Sequence, residues 1–248
     1  MSEPLSIQPT PVERHRDALA LLFSSMPSSE RVAQMATSLA AVRTGKLSLA
    51  GLLEARRGEQ LVGVIWGSAM GGRAALVWPP QLIQSEEEST AQSLCEALQS
   101  WMARNELDLA NAFLADDQSL DARRLTGAGF SRAAEILYLV SDDAAFPDSP
   151  VLTDLQFETF SEEKQDRLAA IVEQTYEGTL DCPAMEGKRE IADVLRGYRE
   201  SGVYDPKRWL LIRHEGEDIG CLLLTDHPQE DQDELMYQGI VPAARGRG

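Results

Sequence analysis

The stretch "YQGIVPAARGRG" (residues 237–248) sets an apolar strand pattern directly before Arg245-Gly246-Arg247-Gly248. Residue types in this order suit chemistry with an anion. Glycines at 246 and 248 would let a phosphate reach backbone N–H groups, and a turn of this kind normally leads into a helix, whose dipole adds attraction. Arg245 and Arg247 contribute planar cationic forks that match phosphate oxygens, although only one of them need face a ligand. No Gly-Lys-Ser/Thr follows, so the turn is not a Walker loop, and it lacks dinucleotide-fingerprint spacing. A nucleic-acid-binding Arg-Gly tail fits poorly on a chain of formal net charge −17. A plain surface turn remains the alternative reading of the four residues alone.

Two further groups could do chemistry. In "TYEGTLDCPAMEGKRE" (175–190), Tyr176, Asp181 and Glu186 could cradle an ammonium group through cation–π and charge-assisted contacts. Cys182 in the same stretch reads as a small loop thiol, with an acyl-cysteine as the alternative. Glu234 closes the acidic run "DHPQEDQDE" (226–234) and opens the last strand. Strand alternation would put Glu234, Met236, Gln238 and Ile240 on one face and Tyr237 on the other, toward a core. His214 and His227 sit in or beside turns and read as exposed.

These residues need a soluble scaffold. The chain has 248 residues, 43% hydrophobic and 25% charged, enough for one large domain or two ordinary ones. No apolar run approaches a membrane span, and the N-terminus lacks a signal-peptide core. Cys95, Cys182 and Cys221 lack metal-ligand spacing, so a reduced, cytoplasmic setting is the default. Strong acidity repels phosphate backbones and would attract a cationic amine, or simply keeps the chain soluble.

The polar, proline-bearing stretch 141–150 separates two segments that each run through helices and strands. Domains are therefore expected at 1–142 and 153–248, with a linker at 143–152. In the first, helices are expected at Arg14–Met26, Ser29–Val42, Thr90–Arg104 and Ser119–Ala128. Three strands fall within 52–78, and further strands at Leu107–Ala115 and Glu135–Val140. In the second, strands are expected at Leu155–Thr159 and Glu234–Pro242, helices at Glu162–Tyr176 and Lys188–Glu200, and a hairpin over 209–225. The halves look duplicated: "LLEARRGEQLVGVI" matches "LLIRHEGEDIGCLL", and "LVWPP" (76–80) matches "GIVPA" (239–243).

With the preceding strand and this element order, Arg245-Gly246-Arg247-Gly248 resembles the acetyl-CoA-binding motif of the GCN5-related N-acetyltransferase superfamily, Gln/Arg-x-x-Gly-x-Gly/Ala. The resemblance implies an α/β fold of the α+β type: two tandem GNAT-like domains, each a mixed, mainly antiparallel sheet flanked by helices. It implies a second domain that is incomplete, ending within the motif. It implies acetyl-CoA as acyl donor and direct transfer to a primary amine of a small molecule or peptide. Backbone N–H groups of Ile240 and Val241 would hold the thioester carbonyl, and Arg245, Gly246, Arg247 and Gly248 the diphosphate. Glu234 stands where histone-acetylating members carry their general base; its other reading is an exposed, inert member of the acidic loop. Tyr176, Asp181 and Glu186 would face the acceptor. The partners implied are that amine and optionally a second copy in a homodimer, with no nucleic acid, membrane or metal. The first half has Glu86, Glu87 and Glu88 where the motif's glycines would fall, so it is expected to keep the fold and lose the cofactor. A non-catalytic acyl-CoA-sensing or protein-interaction module is the alternative.

Overall fold

A computed structural model describes residues 3–45, 47–145, 154–179, 182, 187–228 and 231–246. The chain divides into two compact units, Met1–Arg132 and Ala133–Gly248. The expected linker at 143–152 lies mostly outside the described residues.

The first unit is built on a five-stranded sheet in the order β1 (Leu5–Pro9), β2 (Leu52–Arg57), β3 (Gln60–Met70), β4 (Ala74–Leu82), β5 (Leu109–Asn111). All neighbours are antiparallel except β4 and β5, which are parallel. Helices cover both faces, which is why β3 is buried almost without interruption. Leu94, Leu98 and Trp101 of α3 (Glu88–Arg104) pack on Leu53, Ile65 and Val77. On the other face, α1 (His15–Leu22) brings Ala18, Leu19 and Leu22 against Leu52, Val64 and Trp66, with α2 (Ser28–Arg43) outside it. Helix α4 (Leu120–Gly127) is capped by Ser119, whose hydroxyl accepts from the Ala122 N–H.

The second unit carries an antiparallel sheet in the order β6 (Gln156–Thr159), β7 (Trp209–His214), β8 (Glu217–His227), β9 (Gln232–Ile240). Leu168, Ile171 and Val172 of α5 (Gln165–Tyr176), with Leu195 of α6 (Ile191–Glu200), close over Trp209, Leu211, Cys221 and Leu223. The architecture is α+β, and the second sheet is wholly antiparallel among the described residues.

One strand is added to those expected and two expectations change. β1 is too short to show a pattern on its own; β2 recruits it, and Gln8 donates to the fully buried Glu54 at 3.0 Å. Of Leu107–Ala115, only three residues find β4 as a partner. Glu135–Val140 forms no β-ladder among the described residues, and Ile136–Val140 are 54–91% exposed.

The two hairpins share their irregularities. Ala55 pairs Gly63 and Arg56 pairs Leu61, leaving Val62 as a bulge; Ile212 pairs Gly220 and Arg213 pairs Asp218, leaving Ile219. Each turn opens on a left-handed residue, Gly58 at φ 55° and Glu215 at φ 49°.

One ion network ties the second sheet to its helix. Arg167 of α5 donates to Asp218 at 2.7 Å and Glu158 at 3.0 Å, and Lys164 reaches Glu158 at 3.0 Å. The Arg167 hydrogen bond, then that of Lys164, holds the Glu158 carboxyl at about 2. A carboxyl lowered in the folded state contributes stability above its unfolded pKa, and loses it as pH falls toward the folded value. Chemical denaturation should show the wild-type midpoint falling between about pH 5 and pH 2 more steeply than that of Glu158→Gln.

Candidate active site

Strand β9 determines what the second unit can present. Leu223 pairs with Tyr237 but Leu224 pairs with Leu235, so Met236 is an extra residue on β9. The bulge reverses the alternation beyond it. Glu234 lies opposite Thr225, on the face of Leu223 and Tyr237 rather than with Gln238 and Ile240. The expected common face of Glu234, Met236, Gln238 and Ile240 is therefore broken. The Glu234 carboxylate meets His227 Nε2 at 2.8 Å and is about half exposed (52%).

Beyond the bulge, β9 and the last turn of α5 approach unusually closely. A Cβ on Gly239 would lie 2.7 Å from both Cβ and Oγ1 of Thr175, and one on Gly220 would lie 2.4 Å from the Gly239 carbonyl oxygen. Glycine is needed at both places because a side chain would occupy the space of the neighbouring segment. Thr175 donates to the Val172 carbonyl at 2.7 Å, so the Tyr237 hydroxyl, 2.6 Å away, is the donor to Thr175.

A cavity of about 750 Å³ opens beside this contact, with Tyr176, Tyr198, Tyr237, Gln238 and Ile240 in its wall. Tyr176 and Tyr198 hydroxyls are 2.9 Å apart. The Tyr237 ring meets Tyr176 edge-on at 5.5 Å and stacks on Tyr198 at 5.6 Å. Burial, followed by the neighbouring Tyr176, raises the Tyr198 phenol well above its ordinary value. Cys182 and Arg189 also line the cavity, which has no carboxylate among its described lining residues.

The backbone at the strand end is divided in direction. Val241 N–H donates to the Ile219 carbonyl at 2.9 Å, inside the sheet. The Val241 N–H is thus taken up within the sheet, whereas the expectation left it open to a thioester carbonyl. Ile240 alternates with it, and its carbonyl accepts from Arg245 Nε at 3.0 Å on the side away from β8. N–H and C=O of one residue point the same way in an antiparallel strand, so the Ile240 N–H also faces the open edge.

A single 3-10 turn, Pro242–Ala244, follows, and Gly246 takes a left-handed φ of 71°. Arg245 is exposed, but its guanidinium folds back onto the backbone. Besides the Ile240 carbonyl, it donates to those of Thr175 (2.8 Å), Glu177 (2.8 Å) and Gly178 (3.4 Å), at the end of α5.

Of the sequence-derived candidates, Tyr176, Ile240 and Arg245 come together around the cavity, and Gly246 follows Arg245 in the turn. Glu234 is not among the residues lining the cavity. Asp181, Glu186, Arg247 and Gly248 lie outside the described residues. Tyr237, read from the sequence as core, belongs both to the core cluster and to the cavity wall. Tyr198 belongs to no motif; its signal in the sequence is its place on α6, seven residues after Ile191, which packs against the same core.

The same turn in the first unit has different contents. Ile83 N–H donates to Val62 and Glu86 N–H to Ile83, just as Val241 donates to Ile219 and Ala244 to Val241. Leu82-Ile83 thus corresponds to Ile240-Val241, shifting the sequence match of 76–80 with 239–243. Glu88 then falls at the place of Gly246. Glu86 is almost fully buried and accepts from Arg57 Nη2 at 2.8 Å and from Thr90 Oγ1 at 2.6 Å. The Arg57 contact, its largest influence, lowers the Glu86 pKa. Glu88 accepts from Arg124 at 2.6 Å. An internal carboxylate is the anion resident at the start of α3.

No family model and no curated protein matches the sequence. Among solved structures, a GCN5-related N-acetyltransferase from Sphaerobacter thermophilus is similar over 100% of this chain and 80% of its own, with TM-score 0.56 and 14% identity. The fold is that of the GCN5-related N-acetyltransferases. Two further similar structures extend over about half of this chain. One is an aminoglycoside 6'-N-acetyltransferase from Acinetobacter haemolyticus (16% identity, 55% of this chain, 98% of that one, TM-score 0.43). The other is a GNAT family acetyltransferase from Brucella melitensis in complex with acetyl-CoA (15% identity, 47% and 80%, TM-score 0.36).

Within this N-acetyltransferase fold, the α5–β9 contact at Gly239 is directly testable. Gly239→Ala should destabilise the protein by about 1–3 kcal/mol, since the added methyl meets a β-branched side chain anchored to its own helix. Thermal unfolding reads the loss. An unchanged midpoint would mean that α5 and β9 separate without cost.

Proposed function

We propose that the second unit is an acyl-CoA-dependent N-acyltransferase, moving an acetyl group from acetyl-CoA to a primary amine of a small molecule or peptide by direct attack. One observation carries this reading: the open edge of β9 presents the Ile240 N–H beside a 750 Å³ cavity, immediately before a turn with a left-handed glycine. A fixed N–H dipole at that edge suits a thioester carbonyl whose oxygen gains charge as the amine attacks. The backbone of the turn at Gly246, with Arg247 and Gly248 beyond it, would take the diphosphate. The aromatic wall of Tyr176, Tyr198 and Tyr237 suits the acceptor, with Asp181 and Glu186 as its charged contacts.

The attacking amine must lose a proton, and Glu234 is the carboxylate assigned to remove it. It would act through water from its position beside His227. Glu234→Gln should lower kcat by about tenfold or more while leaving acetyl-CoA affinity within about twofold. Full turnover in that variant would move the base elsewhere. Acetyl-CoA binding without turnover in the wild type would favour the sensing module.

The two units read as two copies of one module, of which the first holds Glu86 where a donor phosphate would sit. Calorimetric titration should therefore give one acetyl-CoA per chain. Two equivalent sites would contradict the assignment of Glu86 as a resident anion.

A further inference from the structure

We infer that Arg245 is a positioning residue, one that shapes the donor site through the backbone and makes no direct contact with phosphate. The inference rests on the transferase reading for its kinetic consequence and on geometry for its mechanism. Carbonyl groups in the last turn of a helix have no partners within the helix and carry the negative end of its dipole. At the end of α5 the carbonyls of Thr175, of the capping Glu177 and of Gly178 just beyond it converge on one guanidinium, and the same group reaches back to Ile240 through Nε. Arg245 thereby joins the end of α5, the outward edge of β9 and the turn in which it stands.

The planar fork makes this bridge possible. Nε and the two Nη groups point in fixed, divergent directions and can satisfy carbonyls on two chain segments together. A lysine ammonium is a point charge on a flexible stem and cannot span both. Donation to these carbonyls commits Nε and both Nη groups to backbone acceptors, although the residue itself is exposed and lines the cavity. What the ligand would meet is the backbone that Arg245 holds: the Ile240 N–H on the edge and the left-handed Gly246 after the turn.

The discriminating experiment compares Arg245→Lys with Arg245→Met, in acetyl-transfer kinetics and in amide hydrogen exchange of the ligand-free protein. A direct phosphate contact would be largely kept by lysine, whereas a bridge between carbonyls would be lost equally in both variants. The expected result is a rise in the KM for acetyl-CoA of about tenfold in both, with kcat changed by less than about threefold. In the absence of ligand, amides 176–179 should exchange about tenfold faster in both variants. Wild-type KM in Arg245→Lys alongside a weakened Arg245→Met would identify a direct ligand and overturn the inference. Unchanged KM and exchange in both would overturn it as well. If the unaltered chain neither binds acetyl-CoA nor transfers acetyl groups, the transferase reading fails, and exchange at 176–179 alone decides the positioning role.

Discussion

The second unit depends on how closely α5 lies on β9. At Gly239 the strand has no Cβ, and the space is filled by Thr175, whose hydroxyl receives a hydrogen bond from Tyr237 and donates to its own helix. That contact brings the end of the helix beside the open edge of the sheet. Its unsatisfied carbonyls then need a donor, and Arg245 supplies one from the turn after the strand. The cavity lies beside this junction, with Thr175, Gly239, Ile240 and Arg245 all in its wall. Helix packing, strand irregularity and turn geometry are thus parts of one arrangement.

The two units show how one backbone plan can have different chemistry. Both hairpins carry a bulge at the same place, and both strand ends make the same pair of backbone hydrogen bonds before their turns. The difference lies in the side chains at the turn. In the first unit Glu86 folds inward onto Arg57 and Thr90, satisfying the start of α3 internally. In the second, Ala244 and Gly246 occupy the corresponding places and leave the backbone accessible. A carboxylate held by an arginine and a phosphate held by a helix start are solved by the same electrostatics.

Much of the fold was legible in the sequence because its signals were local. Turn residues at Gly58 and at Glu215-Gly216 marked the hairpins, and apolar periodicity marked α3 and α5. β1 was not legible, since five residues carry too little pattern and it exists through pairing with β2. The apolar run Glu135–Val140 has the residues of a strand but no described ladder partner, a tertiary fact that composition cannot supply. The site was legible in part. Tyr176 and the Gly246 turn stood out by residue type and Ile240 by the resemblance of its strand, and Tyr176 and Ile240 line one cavity, whereas the side on which Glu234 falls was not legible. A bulge at Met236 depends on pairing with β8, and it reverses the alternation on which the prediction rested. The same holds for Arg245: its residue type suggested a phosphate contact, and its neighbours in space give it carbonyls.

We propose that the edge of β9 and the turn after it receive the acyl donor. Residue-resolved hydrogen exchange with and without acetyl-CoA tests it most directly. New protection is expected only at residues 238–246, with Ile240 foremost and the matching stretch 80–88 of the first unit unchanged. Protection appearing at 80–88, or none at 238–246 under saturating acetyl-CoA, would contradict it.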